Sequence, residues 1–187
     1  MSWKYTYWHH QNFFNKKERK LLSEFIEKNY NVIEHKDETA KDDNGISKKK
    51  TKTFITNLGR VKHLTKNLKE VIEYDNANNF GYNLYPINDL SKILLNIYSS
   101  KNSGEYGWHS DSAQSDLNDC KLTVLANLSD EYEGGDLHFF EGRDVVVKDF
   151  NPGALLLLKS YINHKVDPVT KGTRKTLTMF LNGPKFR

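Results

Sequence analysis

Apolar residues in the first half of the chain recur at helical spacing. Between residues 15 and 31 they fall every three to four positions, which predicts one amphipathic helix. Asn15, followed three positions later by Glu18, resembles a capping box and predicts the start of that helix. A second helix is predicted to end before Gly81, from the apolar positions Leu64, Leu68, Val71 and Ile72.

From about Ile87 onward the pattern changes to short apolar segments separated by glycine and proline, which predicts strands joined by turns. The predicted strands are 93–98, 122–128, 136–140, 144–147, 154–158 and 177–181. Helices followed by many short strands are typical of an α+β protein, here a β-sandwich or jelly roll braced by helices on one face.

The chain of 187 residues predicts a single domain, 1–187. Residues 1–85 are interpreted as a helical support region with a polar loop near 34–52, and residues 86–187 as the β-rich core. The clearest turn in the polar loop is Asp42 to Gly45.

Composition narrows the class of protein further. The hydrophobic fraction of 37% indicates a folded chain, and the longest apolar run, Ala154 to Leu158, is far shorter than the roughly 20 residues of a membrane span. The first residues lack the order of a secretory signal, and the single cysteine, Cys120, excludes an intrachain disulfide. We therefore expect a cytoplasmic protein that does not contact a membrane.

The net charge of +4 is too small to indicate a nucleic-acid partner by itself. Lysines are concentrated in one place, Lys48 to Lys52. This cluster fits a solvated loop, and it also fits a lid on the substrate side that attracts an acidic peptide or a phosphate backbone.

Two ligand-type side chains, His109 and Asp111, are two residues apart. On a strand such residues project from the same face, so both are able to reach one metal ion. The best third ligand is His164, because two imidazoles and one carboxylate form the facial triad of non-haem iron(II) oxygenases. Taken alone, the His-x-Asp spacing favours a hydrogen-bonded surface pair, and a lone histidine such as His164 is more often structural, so the assignment depends on the surrounding residues.

Arg174 follows His164 by ten residues, at the start of the last predicted strand. Its planar guanidinium matches a carboxylate in two hydrogen bonds, as the distal carboxylate of 2-oxoglutarate requires. Thr176 and Thr178 share its strand face and offer a further hydroxyl to the co-substrate. Tyr98, at the end of an earlier strand, is either another donor to the co-substrate or an ordinary core aromatic.

The second half of the chain resembles the prolyl-4-hydroxylase-like branch of the iron(II)/2-oxoglutarate oxygenases, and in particular its short bacterial and phage-encoded members. The resemblance covers roughly residues 77–187. It is carried by 77–82, 96–98, 106–111, 132–137, 151–154, 164–166 with 168–169, Gly172, Arg174 and Gly183-Pro184.

This resemblance implies a double-stranded β-helix (cupin-like) core in residues 86–187, with His109, Asp111 and His164 on Fe(II) and Arg174 on 2-oxoglutarate. It also implies that Leu137 lines the co-substrate pocket. The implied reaction uses O2, converts 2-oxoglutarate to succinate and CO2, and hydroxylates a substrate, with ascorbate as a helper. The retained carboxylate of Asp111 favours hydroxylation over halogenation.

Two positions depart from particular branches of the family. Collagen-type prolyl hydroxylases often use lysine where this chain has Arg174, so a procollagen-like substrate does not follow from the resemblance. Asn127 stands where an oxygen-sensing relative has a tyrosine that contributes to the pocket.

Three functions are consistent with these residues. A hydroxylase of a prolyl or other amino-acid residue in a protein or peptide is favoured. An oxygenase of modified nucleic acid is disfavoured, because its members usually carry a second arginine near the end of the last strand, where this chain has Phe180. A catalytically silent metal-binding β-barrel module is the third. His138 competes weakly as a ligand, because it should point away from the pocket if Leu137 points in.

Overall fold

The computed structural model of the protein describes residues 5–33, 46–111 and 118–185. The first predicted helix is confirmed as α1, Lys16–Asn29. The Asn15 side chain accepts from the backbone N–H of Glu18, and the Glu18 carboxylate accepts from the backbone N–H of Asn15, so both halves of the capping box are present. Helix α1 therefore begins where its local sequence satisfies the first free N–H groups.

The second helical region consists of several short segments. Helix α2 (Leu58–Val61) leads through a 3₁₀ turn (Lys62–Leu64) to helix α3 (Leu68–Asp75), which runs into a π-helical turn (Asn76–Phe80). Gly81 ends this run in the left-handed region with φ = 69°, a conformation that glycine adopts without steric cost.

The described residues form twelve strands, and every pair among them is antiparallel. They are β1 (Tyr7–His10), β2 (Val32–Ile33), β3 (Lys52–Asn57), β4 (Lys92–Ser99), β5 (Tyr106–His109), β6 (Asp119–Asn127), β7 (Tyr132–Gly134), β8 (Leu137–Phe140), β9 (Asp144–Val146), β10 (Leu155–Lys159), β11 (His164–Val166) and β12 (Val169–Gly183). The major sheet has the order β1-β10-β6-β12-β4-β3-β2, with β7 paired to one end of β12. The minor sheet has the order β5-β11-β8-β9.

The major sheet is covered on both faces, as strand β10 shows. Leu155 and Leu157 belong to the core cluster that includes Leu22 and Ile26 of α1, whereas Leu156 and Leu158 belong to the cluster that includes Phe139 of the minor sheet. This double burial explains why the strand is an uninterrupted apolar run. The layers are thus helices, major sheet and minor sheet, which confirms the predicted α+β architecture of facing sheets braced by helices on one side.

Residues 1–85 contain more strand than the sequence indicated. Strand β1 pairs with β10 at one edge of the major sheet, and β3 pairs with β4 toward the other. Neither strand was predicted, because each is short and mixes polar with apolar residues, and each is stabilised by a partner distant in sequence. The predicted turn from Asp42 to Gly45 lies outside the described residues.

None of the helices in the described parts of the chain is long and apolar enough to cross a membrane.

Candidate active site between the two sheets

A narrow cavity of about 40 Å³ lies between the two sheets and contains the residues that the sequence singled out. The major sheet contributes β4, β6 and β12, and the minor sheet contributes β5, β8 and β11. The lining residues are Lys49, Asn96, Tyr98, Tyr106, His109, Asp111, Leu125, Leu137, His164, Val166, Arg174, Thr176, Thr178 and Phe180.

A β-bulge aims His109 into this cavity. His109 pairs with His164 and Tyr106 pairs with Val166, so two residues of β5 lie opposite the single residue Lys165 of β11. The bulge allows Tyr106 and His109, three positions apart, to line the same cavity with their ring centroids 3.5 Å apart. Trp108, within the bulge, packs instead against Phe140, with ring centroids 6.1 Å apart.

Both histidines are oriented by the backbone just before them. His109 Nδ1 lies 2.8 Å from the carbonyl oxygen of Gly107, and His164 Nδ1 lies 2.9 Å from that of Ile162. A carbonyl only accepts, so in each neutral ring Nδ1 carries the proton and Nε2 keeps its lone pair. Such a second hydrogen bond on the ring is what metal-binding histidines usually have.

Electrostatics keep His109 in the form that binds a metal. Burial, together with the neighbouring His164 and the charge of Lys49, lowers the pKa of His109 to about 4, against the opposing effect of Asp111. The ring is therefore neutral at physiological pH, and no proton competes for Nε2.

Asp111 reaches the cavity in a different way from the one that its spacing suggested. Strand β5 ends at His109, so Asp111 is not the next inward residue of a strand. Its backbone N–H donates to the carbonyl of Ser160 at 2.9 Å, and its carboxylate oxygen Oδ2 accepts from the hydroxyl of Thr123 at 2.7 Å. Contacts with β6 and with the end of β10 therefore hold Asp111 in place.

The three side chains converge closely enough to share one ion. His109 Nε2 lies 3.6 Å from Asp111 Oδ1, and His164 Nε2 lies 3.5 Å from Asp111 Oδ2. Their ligand atoms all lie within 4.8 Å of one another, the only such group of three or more among the described residues. Two imidazoles whose Nδ1 atoms are hydrogen-bonded to backbone carbonyls, together with one carboxylate, fit an iron(II) site that leaves positions open.

Arg174 is buried in the same cavity, and part of its guanidinium has no hydrogen-bond partner among the described residues. It is 1% exposed, and its guanidinium carbon lies 5.1 Å from the ring centre of Tyr98 and 5.5 Å from that of Phe150. Nη1 donates to the hydroxyl of Thr176 at 2.7 Å, whereas Nε and Nη2 have no hydrogen-bond partner. A buried cation with two unused donors fits the carboxylate of a 2-oxo acid.

The other predicted pocket residues also line the cavity. Tyr98 is 4% exposed, and burial raises the pKa of its phenol, so the hydroxyl stays protonated and able to donate. Leu137 is 2% exposed, and Thr176 and Thr178 share the inward face of β12 with Arg174. The structure thus brings every predicted site residue to one place, while their contacts with a co-substrate stay predictions.

Several buried polar residues beside the site were not predicted. Asn96 donates to Thr178 at 3.1 Å and accepts from Thr53 at 2.7 Å, which links β3, β4 and β12. Thr123 was missed in the same way. The sequence feature that could have indicated these residues is a polar side chain within a strand that is otherwise apolar on both faces.

The competing ligand His138 points away from the cavity. Its Nδ1 lies 2.6 Å from Asp144 Oδ1 and its Nε2 lies 2.8 Å from Asp167 Oδ2, so both nitrogens face carboxylates on the outer side of the minor sheet. Lys165 joins the same cluster at 2.9 Å from Asp167.

The N-terminal histidines and the lysine cluster also make contacts of their own. His10 Nε2 lies 2.7 Å from the carboxylate of the buried Asp75 of α3. In the lysine cluster, Lys48 accepts from Gly107 and Lys50 donates to Glu105 through their backbones, so this part of the cluster packs along β5. The Lys49 amine lies 5.1 Å from the ring centre of Tyr106.

A wider depression of about 790 Å³ lies beside the wall formed by Leu137 and Phe150. It combines basic and acidic side chains, including Arg19 and Asp136, but does not contain the metal-ligand group. The narrower cavity, which holds the convergent ligands, is therefore the candidate site.

The cavity combines three convergent metal-ligand side chains with a buried guanidinium, an arrangement that fits a metal-dependent oxygenase with a carboxylate co-substrate. Comparison with known families agrees: residues 93–182, which include all four central site residues, match the model of the 2OG-Fe(II) oxygenase superfamily. Together with the curated relatives and the solved structures described below, this match supports a prolyl-4-hydroxylase-like 2OG-Fe(II) oxygenase. As its name states, the superfamily uses Fe(II) and 2-oxoglutarate, and its oxygenase chemistry uses O2.

Curated relatives and solved structures are also similar to parts of this chain or to its fold. A PKHD-type hydroxylase from Stutzerimonas stutzeri is 35% identical over 89 residues, which are 43% of this chain and 38% of that protein. A prolyl-4-hydroxylase from Pseudomonas putida has the same fold, with a TM-score of 0.71 at 14% identity over 96% of this chain and 94% of its own. A Trichoplax adhaerens prolyl hydroxylase, solved with a hypoxia-inducible-factor peptide, has a TM-score of 0.66 at 18% identity over 94% and 83%.

The matched part spans well under two thirds of the curated relative's length. The structural matches cover nearly the whole chain, and they support the double-stranded β-helix fold implied by the sequence.

Proposed function

We propose that the protein is an Fe(II)- and 2-oxoglutarate-dependent dioxygenase that hydroxylates a prolyl or other amino-acid residue of a protein or peptide. One observation carries the proposal. The triad of His109, Asp111 and His164 and the partly unpartnered guanidinium of Arg174 line the same cavity. A metal site alone fits many activities, but a metal site with a buried carboxylate receptor fits a 2-oxo acid oxygenase.

In the proposed reaction, one group of residues binds the metal and another binds the co-substrate. His109, Asp111 and His164 hold the iron, and their side chains are 11%, 10% and 5% exposed, so few paths for water lead to the metal. Arg174 orients 2-oxoglutarate through its distal carboxylate, with Tyr98 and Thr176 as neighbouring donors and Leu137 as an apolar wall. The iron supplies the oxidation of the substrate, coupled to the conversion of 2-oxoglutarate to succinate and CO2.

A peptide substrate is supported by the relatives. The curated relatives are PKHD-type hydroxylases, and the Trichoplax neighbour was solved with a peptide. Phe180 is 41% exposed on the same strand face as Arg174, and it offers an apolar surface to a substrate side chain. A nucleic-acid substrate has less support, because β12 carries Phe180 where those oxygenases usually carry a second arginine.

We further propose ascorbate as a reductant that restores iron oxidised in uncoupled turnovers, and a cytoplasmic location. The thiol of Cys120 is buried and free, which is compatible with a reducing compartment.

The test is a substrate screen that measures succinate release with Fe(II), 2-oxoglutarate and ascorbate. Proline-containing peptides are expected to stimulate succinate release, and methylated oligonucleotides are not. Stimulation by oligonucleotides alone would overturn the proposed substrate class while leaving the oxygenase activity in place.

Asp111→Ala provides the control for the site itself. Removing the only carboxylate of the triad should abolish succinate formation and weaken metal binding, because two imidazoles alone hold Fe(II) poorly. Ordinary succinate production by this variant would refute the triad.

A further inference from the structure

A chain of buried hydrogen bonds leads away from Asp111 into the major sheet. The hydroxyl of Thr123 lies 2.7 Å from Asp111 Oδ2 and 3.2 Å from the hydroxyl of Ser160. The Ser160 hydroxyl in turn lies 3.0 Å from the thiol sulfur of Cys120. Thr123 and Ser160 are 0% exposed and Cys120 is 2% exposed, so the bonds are shielded from water.

Only one arrangement of protons satisfies all three contacts. A carboxylate oxygen accepts, so Thr123 donates its single hydroxyl proton to Asp111. Thr123 must then accept from Ser160, and Ser160, having used its proton, is left to accept from the Cys120 thiol, whose one proton also lies within reach of the Leu122 carbonyl oxygen, with the sulfur 3.7 Å from it. The chain therefore runs in one direction, and each bond polarises the next toward the carboxylate.

The same two elements also fix the backbone at Asp111. The Asp111 N–H donates to the Ser160 carbonyl at 2.9 Å, and Ser160 follows directly after β10. Thr123 lies on β6, paired with Leu158 of β10. Asp111 lies beyond the end of β5, so these contacts take the place of a strand in setting its position.

We propose that Thr123 is the positioning residue of the metal site, and that Ser160 and Cys120 act through it. Because Thr123 occupies Oδ2, it limits rotation of the carboxylate and presents Oδ1 on the side of His109. This inference rests on the proposed metal site. It predicts that the loss of the Thr123 hydroxyl weakens metal binding most, the loss of the Ser160 hydroxyl less, and the loss of the Cys120 thiol least.

The experiment is a titration of the metal-free protein with Co²⁺, followed by the visible absorption of the bound ion. Thr123→Val, which keeps the shape but removes the hydroxyl, should raise the dissociation constant by about tenfold to a hundredfold, the usual effect of losing a partner of a metal ligand. Thr123→Ser should restore binding. Ser160→Ala should have a smaller effect, and Cys120→Ala almost none.

Thr56→Val is the matched control, because Thr56 is 4% exposed in β3 and its hydroxyl has no hydrogen-bond partner. It should bind Co²⁺ like the wild type. Wild-type affinity in Thr123→Val would overturn the positioning role, and if Thr123→Val does not fold, wild-type affinity in Ser160→Ala would overturn it instead. If the wild type binds no Co²⁺, the proposed metal site itself fails.

Discussion

Arg174 is the residue at which function most clearly opposes stability. Its guanidinium is buried with two nitrogens lacking partners, and its other contacts are one threonine and two aromatic rings. Burying an ion costs several kcal/mol, whereas ring contacts of about 2 kcal/mol and one hydrogen bond of about 1 kcal/mol offset only part of this. On the proposed function, the carboxylate of 2-oxoglutarate accounts for the retained charge.

We therefore expect Arg174→Met to stabilise the protein in the absence of 2-oxoglutarate, by roughly 1 kcal/mol or more, while abolishing 2-oxoglutarate binding. Urea unfolding with and without 2-oxoglutarate, in the presence of Co²⁺, measures both effects. The co-substrate should stabilise the wild type and leave the variant unchanged. A variant less stable than the wild type would show that the protein itself compensates the buried charge.

Cys120 leads to a prediction about alkaline pH. Burial raises the pKa of its thiol to about 11 from an ordinary value of 9. Between these values the unfolded chain loses a proton that the folded protein keeps, so the free energy of unfolding decreases as pH rises. Below pH 9 the thiol is protonated in both states and contributes no slope.

The expected loss is about 2–3 kcal/mol between pH 9 and 11, and Cys120→Ala should lack it. Unfolding of the metal-free wild type and variant at matched pH values isolates this contribution from that of the tyrosines and lysines. Parallel pH profiles for the two proteins would contradict the assignment.

At the scale of single residues, the features that could be predicted from the sequence are those that depend only on residue type and spacing. A capping box at Asn15 and the residue types of an iron site at His109, Asp111, His164 and Arg174 are recognisable without coordinates. The partners of Asp111 were not predictable, because Thr123 and Ser160 become its neighbours only when β6 and β10 pair.

Among the elements, the turn between β7 and β8 packs directly against Arg174 of the proposed co-substrate site. Gly134 and Gly135 both have positive φ, at 70° and 66°. A Cβ on Gly135 would lie 2.9 Å from Cδ of Arg174 and 3.0 Å from a methyl group of Val169. The turn thus needs glycine for its backbone and also for the space that Arg174 occupies.

Gly135→Ala should weaken 2-oxoglutarate binding, because the added methyl group displaces Arg174 from its position on β12. Gly142→Ala is the matched control: its φ is 71°, so the backbone strain is similar, but a Cβ there meets nothing within 4 Å. Measured KM values for 2-oxoglutarate should rise for the first variant only. Equal increases in both would attribute the effect to backbone strain alone.

The predicted elements were most reliable where periodicity is local. Helix α1 and the apolar strands β4, β6 and β10 appear close to their predicted limits. Strands β1 and β3 were missed, and β12 is longer than predicted, because these strands are stabilised by pairing over long sequence separations. The bulge in β5 was not predicted for the same reason, because a bulge is defined only by the pairing of β5 with β11.

On the scale of the whole molecule, the site joins the two sheets. His109 and His164 belong to the minor sheet, whereas Arg174 and the partner of Asp111, Thr123, belong to the major sheet. A metal ion and a 2-oxo acid bound together would therefore make contacts with both layers. Ligands that bind only the folded state stabilise it, by about 2.7 kcal/mol at a hundred times the dissociation constant.

We expect Co²⁺ and 2-oxoglutarate together, without oxygen, to slow hydrogen exchange in β5 and β11 as well as in β12. Strand β2 lies at the far edge of the major sheet and serves as the internal control. Exchange measured by mass spectrometry with each ligand alone and with both distinguishes the contributions. Slowing confined to β12 would mean that the ligands contact only one layer.

The two histidines and the aspartate are supported over very different distances along the chain. Each imidazole is held by the carbonyl two residues before it, so a short segment carries both the ligand and its support. Asp111 instead depends on Thr123 and on Ser160, twelve and 49 positions away. We therefore expect relatives that replace the carboxylate at 111 to be released also from the need for a hydroxyl at 123.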